Sequence, residues 1–84
     1  MARPEAPTLE PGKCYTVRTD WASTSVLSLA YDVDAQTLDI EYPSGERYRY
    51  FAVPAAEFVA LFTAKSLGVH VNRKIKPRYA TEKL

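Results

Sequence analysis

TLDIEYPSGERYRY, the stretch at residues 37–50, contains two runs of alternating apolar and charged residues on either side of a turn. Pro43 and Ser44 suit the two central positions of a type I turn. Gly45 suits the left-handed position that completes a three-residue hairpin loop with a bulge. The stretch therefore predicts a β-hairpin whose register is set by the loop.

The register that follows from this loop, which pairs Tyr42 with Glu46, matches side chains across the two strands. The pairs are Ile40 opposite Tyr48, Leu38 opposite Tyr50, Glu41 opposite Arg47 and Asp39 opposite Arg49. Each such pair contributes about 0.2–1 kcal/mol. A slip of one residue would break the apolar and the charged matches at once, so the sequence specifies this register strongly.

The two tyrosines of the second strand, Tyr48 and Tyr50, allow two interpretations. The register places them on the face of Leu38 and Ile40, which predicts a position in the core beneath a helix, with the hydroxyls reaching partners at the rim. The alternative is an exposed platform on which nucleobases stack. We expect the core position.

The flanking sequence completes the predicted fold. Residues 25–32 alternate as a strand and extend the hairpin into a meander. Pro54 suits the first position of a helix, and PAAEFVALFTAK, which begins there, has an apolar stripe at helical spacing. Ser66 either closes this helix or caps a short second one, which Pro77 ends. The predicted fold is α+β, a three-stranded antiparallel β-meander packed against one long and one short C-terminal helix.

Length and composition predict one small domain with loose ends, since the chain has 84 residues. We expect an extended N-terminal arm over residues 1–20, the folded domain over residues 21–80 and a frayed tail over residues 81–84. A single cysteine, Cys14, and a single histidine supply neither a disulfide nor a zinc site, so no cofactor or metal is expected. Without a signal peptide or a membrane span in the sequence, we expect a cytoplasmic protein that does not bind membranes.

Charge is distributed unevenly along the chain, although its net value is only +1. Residues 1–46 hold three basic and eight acidic side chains, whereas residues 47–84 hold eight basic and two acidic ones. A basic surface is the usual starting point for binding a polyanion, so the C-terminal half is predicted to bind RNA or another polyanion. The alternative is that the two halves neutralise each other within the fold.

The candidate nucleic-acid contacts are the basic, polar and aromatic side chains of the C-terminal stretch. They are Lys65, His70, Asn72, Arg73, Lys74, Lys76, Arg78 and Tyr79. Arg47 and Arg49 are weaker candidates, because acids offset them across the hairpin. The alternative function is a protein-interaction or regulatory module that docks on a partner through the charge asymmetry, a free strand edge or the N-terminal arm.

No catalytic motif is present in the sequence. Neither His70 nor Cys14 lies within a motif that would make it a base or a nucleophile, and the same holds for Ser66. There is no glycine-rich phosphate-binding loop either. We therefore expect a binding module that is not an enzyme and has no catalytic residues.

Several residues, taken in order, resemble the KTSC domain, a small module named for the C-terminal end of some lysyl-tRNA synthetases and also found as free-standing bacterial proteins. The matching residues are Ser23-Thr24, Val26, Tyr31-Asp32, Gly45, Tyr48-x-Tyr50, Val53-Pro54, Ala64-x-Ser66-x-Gly68, Asn72, Ile75 and Tyr79. The chain departs from the family pattern at Ala30, where the family has glycine, and at Thr24, where it has a second serine. The resemblance covers about residues 21–80, and the attachment of the family to a synthetase implies RNA binding.

Overall fold

The structure, a computed structural model, describes residues 5–19 and 25–84. Its elements in chain order are β1 (Cys14–Arg18), β2 (Ser28–Asp32), β3 (Thr37–Glu41), β4 (Arg47–Tyr50), α1 (Ala55–Ala60), α2 (Leu67–His70), a π-helical turn (Val71–Ile75) and β5 (Thr81–Lys83). The strands form one antiparallel sheet in the order β1-β2-β3-β4-β5. The predicted α+β class is confirmed.

The sheet has five strands, so the prediction of three strands is wrong. β1 lies in the stretch expected as an extended arm and pairs with β2, with Tyr15 opposite Tyr31. β5 lies in the stretch expected as a frayed tail and pairs with β4, and the Leu84 N–H donates to the Arg47 carbonyl at 2.8 Å. Both are edge strands with little or no buried side-chain surface, so they lack the alternation that identifies a strand in sequence.

The β3–β4 hairpin has the predicted register. The Tyr42 N–H donates to the Glu46 carbonyl at 2.9 Å, and the Gly45 N–H donates to the Tyr42 carbonyl at 2.8 Å. Gly45 has a φ of +92°, the left-handed conformation that the loop requires. The four predicted cross-strand pairs are all present: Leu38–Tyr50, Asp39–Arg49, Ile40–Tyr48 and Glu41–Arg47.

The helices are short, so the prediction of one long helix is wrong. α1 has six residues and α2 has four. After Ala60 the chain tightens into turns, because the N–H groups of Leu61 and Phe62 donate to carbonyls three residues back. Ser66 caps α2, its hydroxyl accepting from the Val69 N–H at 3.4 Å. Within the described ranges, no helix is long and apolar enough to cross a membrane.

The core lies between the inner face of the sheet and the helices. Its buried side chains are Val26, Leu29, Tyr31, Leu38, Ile40, Tyr50, Val53, Phe58, Leu61, Phe62, Leu67, Val71 and Ile75. Tyr31 joins the two layers, since its ring stacks on Phe58 with centroids 4.8 Å apart and an interplanar angle of 9°. The Tyr31 hydroxyl also donates to the Val53 carbonyl at 2.5 Å.

The two hairpin tyrosines differ in burial. Tyr50 is 2% exposed and belongs to the core as predicted. Tyr48 lies on the predicted face but is only half-buried, and it lines a pocket that is open to solvent. Its hydroxyl donates to Glu46 Oε2 at 2.8 Å. Tyr48 therefore presents aromatic surface at the edge of the core.

Replacing Gly45 with valine is expected to lower the free energy of unfolding by about 1–3 kcal/mol, because a β-branched residue is strained at positive φ. An added Cβ would meet no atom within 4 Å, so the loss comes from the backbone conformation. Chemical denaturation measures it. Gly45→Asn is the matched control, since asparagine tolerates the left-handed region. Equal stability of the valine variant and the natural protein would contradict the turn.

Removal of residues 81–84 is expected to lower the melting temperature. The deletion removes β5 and leaves unpaired the β4 backbone groups that now bond to it, each such hydrogen bond contributing about 0.5–1.5 kcal/mol. If residues 81–84 were a frayed tail, the protein would have the same melting temperature with and without them. Glu82→Ala, which keeps the strand backbone, is the control and should stay close to the natural melting temperature.

Candidate functional site

A groove of about 290 Å³ lies where the loop after α1 meets α2. Its walls are Ala64, Lys65, Ser66, Val69, His70, Arg73 and Lys74. Lys65 comes from the loop, His70 from α2, and Arg73 and Lys74 from the π-helical turn. Four of the candidate nucleic-acid contacts thus share one surface, which we call the basic groove.

The π-helical turn explains why consecutive polar residues reach solvent here. Val71 and Ile75 are buried and hold the turn against the core. The N–H that follows Ile75 donates to the Val71 carbonyl at 2.9 Å, the i to i+5 bond of a π-helix. Asn72, Arg73 and Lys74 lie between these two anchors and are all exposed.

The lysines and the arginine of the basic groove, Lys65, Lys74 and Arg73, form no ion pair within 4.0 Å with any residue that the structure describes. His70 is different, since its Nε2 lies 3.1 Å from Glu57 Oε1. The groove therefore carries three uncompensated positive charges, the arrangement expected of a surface that attracts an anion.

Glu57, near the start of α1, contacts three of the candidates, of which one is His70 of the basic groove. Besides His70, its carboxylate accepts from the Tyr79 hydroxyl at 3.4 Å and lies 3.9 Å from Arg78 Nη1. The Glu57 side chain is only 16% exposed. Burial, followed by the Glu57 charge, raises the pKa of Tyr79, so its hydroxyl stays a hydrogen-bond donor. These contacts join α1 to the C-terminal segment. Arg78 and Tyr79 therefore belong to a structural cluster around the Glu57 carboxylate.

A second pocket, of about 410 Å³, lies beside the loop of the β3–β4 hairpin. We call it the hairpin pocket; it is lined by Tyr42, Ser44, Glu46, Tyr48, Tyr50, Lys76 and Thr81. One of the candidate contacts, Lys76, belongs to it, with its ammonium 5.0 Å from the centroid of the Tyr42 ring. A cation at this distance from an aromatic face is attracted to it.

The tyrosines of the hairpin pocket are held in place by one another. The Tyr42 and Tyr48 rings are 5.9 Å apart at 72°, and the Tyr42 and Tyr50 hydroxyls are 3.1 Å apart. Burial, then the hydrogen bond with Tyr50, raises the pKa of Tyr42 far above its usual range, so the hydroxyl keeps its hydrogen. This pocket was not predicted from the sequence. The hairpin register could have indicated it, because that register makes Tyr42 and Tyr48 diagonal neighbours on one face.

The weaker candidates lie on the outer face of the sheet, opposite the helices. Arg49 donates from Nε and Nη2 to the two carboxylate oxygens of Asp39 at 2.8 and 2.9 Å, a bidentate pair. This hydrogen bonding raises the pKa of Arg49. Arg47 faces Glu41 across the hairpin. Nowhere in residues 5–19 and 25–84 do three or more metal-ligating side chains gather.

The KTSC domain family model matches residues 22–79. An uncharacterized protein of Stutzerimonas stutzeri is 47% identical over 57 residues, 68% of this chain and 80% of that protein. A lysine–tRNA ligase of Nostoc punctiforme is 39% identical over 59 residues, which span 70% of this chain but only 10% of the ligase. The crystal structure of a KTSC domain protein from Yersinia pestis has a TM-score of 0.77 at 25% identity, covering 86% of this chain and 99% of that one. The resemblance found in the sequence is confirmed, although the Ser23-Thr24 landmark and the boundary at residues 20–21 lie outside the described residues.

Replacing Glu57 with alanine is expected to lower the free energy of unfolding by about 1–3 kcal/mol, because His70 and Tyr79 lose a half-buried hydrogen-bond partner. Glu10→Ala is the control, since Glu10 pairs with Lys13 and both side chains are more than half exposed, at 56% and 61%. That loss should stay below about 1 kcal/mol. Urea denaturation compares the two variants, and equal losses would contradict a structural cluster at Glu57.

Proposed function

Since the chain belongs to the KTSC domain family, we propose that it is a small binding module, without catalytic activity, that holds RNA in the basic groove. One observation carries this assignment: three cations, Lys65, Arg73 and Lys74, share the groove with no acid paired to them in the described part of the chain. A cation without a protein partner gives up little when it contacts a phosphate. A paired cation must first lose its carboxylate.

The expected binding is electrostatic. Each phosphate neutralised by a lysine or arginine releases condensed counterions, so affinity falls as salt rises. Contacts from side chains to phosphates position a nucleic acid but do not read its bases. The basic groove by itself therefore supports weak binding with little sequence preference, as suits an accessory module.

One relative supports RNA over other polyanions as the ligand. It is a lysine–tRNA ligase, of which the matching segment makes up 10%. A module with a cationic groove would add contacts to the phosphate backbone of an RNA substrate. We also propose that this chain is cytoplasmic, because tRNA is aminoacylated in the cytoplasm. An exposed free thiol such as Cys14 also suits that reducing compartment.

Docking on a protein is the alternative function. The groove wall includes Val69, which is 48% exposed, and an apolar side chain suits a protein partner as well as a nucleotide. A partner bound through such contacts would respond far less to salt than an RNA bound through phosphates. The salt dependence therefore separates the two functions.

The triple variant Lys65→Gln, Arg73→Gln, Lys74→Gln is expected to lose most RNA binding and to flatten the salt dependence by about two units of slope. Its melting temperature should stay near that of the natural protein, because the three side chains are exposed. Titrations of a labelled RNA across a salt series, starting at about 50 mM, measure the slope.

A triple variant with the same change of charge serves as control: Lys13→Gln, Arg18→Gln, Arg47→Gln. Arg18 and Arg47 belong to β1 and β4, Lys13 directly precedes β1, and none of the three lines the basic groove. Arg47 is itself one of the weaker candidates. We expect the control to retain the binding and the slope. Equal losses of RNA affinity in both triple variants would show that RNA is attracted by the overall charge of the protein and not by the groove. No binding by the natural protein at low salt would leave protein docking as the function.

A further inference from the structure

We propose that the hairpin pocket receives one unstacked nucleobase of an RNA strand whose phosphates occupy the basic groove, so that the module selects single-stranded over duplex RNA. The groove part rests on the proposed function, whereas the pocket has chemistry of its own. The bases of a duplex are stacked inside the helix and cannot enter a pocket, but the bases of loops and single strands can.

The basic groove and the hairpin pocket are neighbours along the chain. Arg73 lines the groove, and Lys76, three residues later, lines the pocket. Only Lys74 and Ile75 separate these two lining residues, so one short helical segment connects the groove to the pocket. Lys76 also forms no ion pair with a described residue, so its ammonium is available to the phosphate that precedes or follows a bound base.

The pocket has the volume and the aromatic walls that suit a nucleobase. Its volume of about 410 Å³ falls in the range of small-ligand sites. The half-buried rings of Tyr42 and Tyr48 stand at 72° to each other, so a base stacked on one ring meets the other with its edge. Stacking of a base on a tyrosine is tolerant of sequence, because every base has a π-face.

The orientation of these walls is fixed before any ligand arrives. The Tyr48 hydroxyl is bound by Glu46, and Tyr42 is bound to the buried Tyr50 through its hydroxyl. A ring that is already held in place loses little conformational entropy when a ligand stacks on it. Such pre-organisation is unnecessary for an incidental surface tyrosine.

The hydroxyl pair leaves a hydrogen-bond donor for the ligand. Tyr42 and Tyr50 carry two hydroxyl hydrogens, and the bond between them uses one. The second hydroxyl hydrogen has no acceptor among the described residues that line the pocket. Tyr50 is only 2% exposed, so little bulk water reaches this hydroxyl pair from its side. A carbonyl oxygen or ring nitrogen on a base edge would accept it.

The charges of the pocket also fit a nucleotide. Glu46 is the acid in the lining, and Lys83 Nζ lies 3.7 Å from its Oε2. With Lys76 added, the surroundings of the pocket are positive. A neutral base with an attached phosphate suits this balance, whereas the Lys76 ammonium would repel a cationic ligand.

The test compares a short oligouridine with an abasic oligomer that has the same number of phosphates. The natural protein should bind oligouridine about tenfold or more tightly than the abasic strand. Tyr48→Leu should remove this difference while leaving the binding of the abasic strand unchanged. Tyr48→Phe, which keeps the ring, should preserve the difference. Phe51→Leu is the control for an exposed aromatic outside the pocket.

A second measurement uses uridine itself, which has no phosphate and therefore does not need the basic groove. Addition of uridine should shift the ring resonances of Tyr42 and Tyr48 in NMR spectra of the natural protein. Equal binding of the two oligomers, or unchanged ring resonances at saturating uridine, would overturn the pocket and leave the groove standing. If the natural protein bound neither oligomer but uridine still shifted its ring resonances, the proposed function would be overturned and the pocket would stand.

Discussion

The left-handed backbone at Gly45 is the constraint on which the rest of the molecule depends. A loop closed at that residue permits one register between β3 and β4, and that register decides the face of every side chain in both strands. It sends Leu38, Ile40 and Tyr50 into the core. It also brings Tyr42 next to Tyr48, so the same turn that builds the core builds the hairpin pocket.

The hairpin could be predicted from sequence because all its determinants lie within fourteen neighbouring residues. The lengths of the helices could not. An apolar stripe at Phe58, Leu61 and Phe62 specifies which side chains are buried, and a tight turn after Ala60 buries them as well as a longer helix would. The edge strands were not predicted from the sequence for another reason. Their register is set by the neighbouring strand, and their own side chains are half-buried or exposed.

The same contrast holds for the candidate site. The excess of basic residues in the C-terminal half indicated where cations would be, but not which of them have acids beside them. That distinction depends on Glu57, which reaches His70 and Tyr79 across 13 and 22 residues of sequence. Only tertiary packing fixes such contacts. Packing thus distributes the basic side chains of this stretch among three places: the cluster around Glu57, the basic groove and the hairpin pocket.

The order of the strands determines how such a module can be joined to other domains. In a five-stranded antiparallel sheet with neighbours in sequence order, β1 and β5 occupy opposite edges and run in the same direction. The chain therefore enters at one corner of the sheet and leaves at the diagonally opposite corner. Domains whose ends meet are readily inserted into a loop of a host protein. A sheet with its ends at opposite corners is suited instead to end-to-end fusion, in which the chain leaves β5 beside Arg47 and the loop of the β3–β4 hairpin.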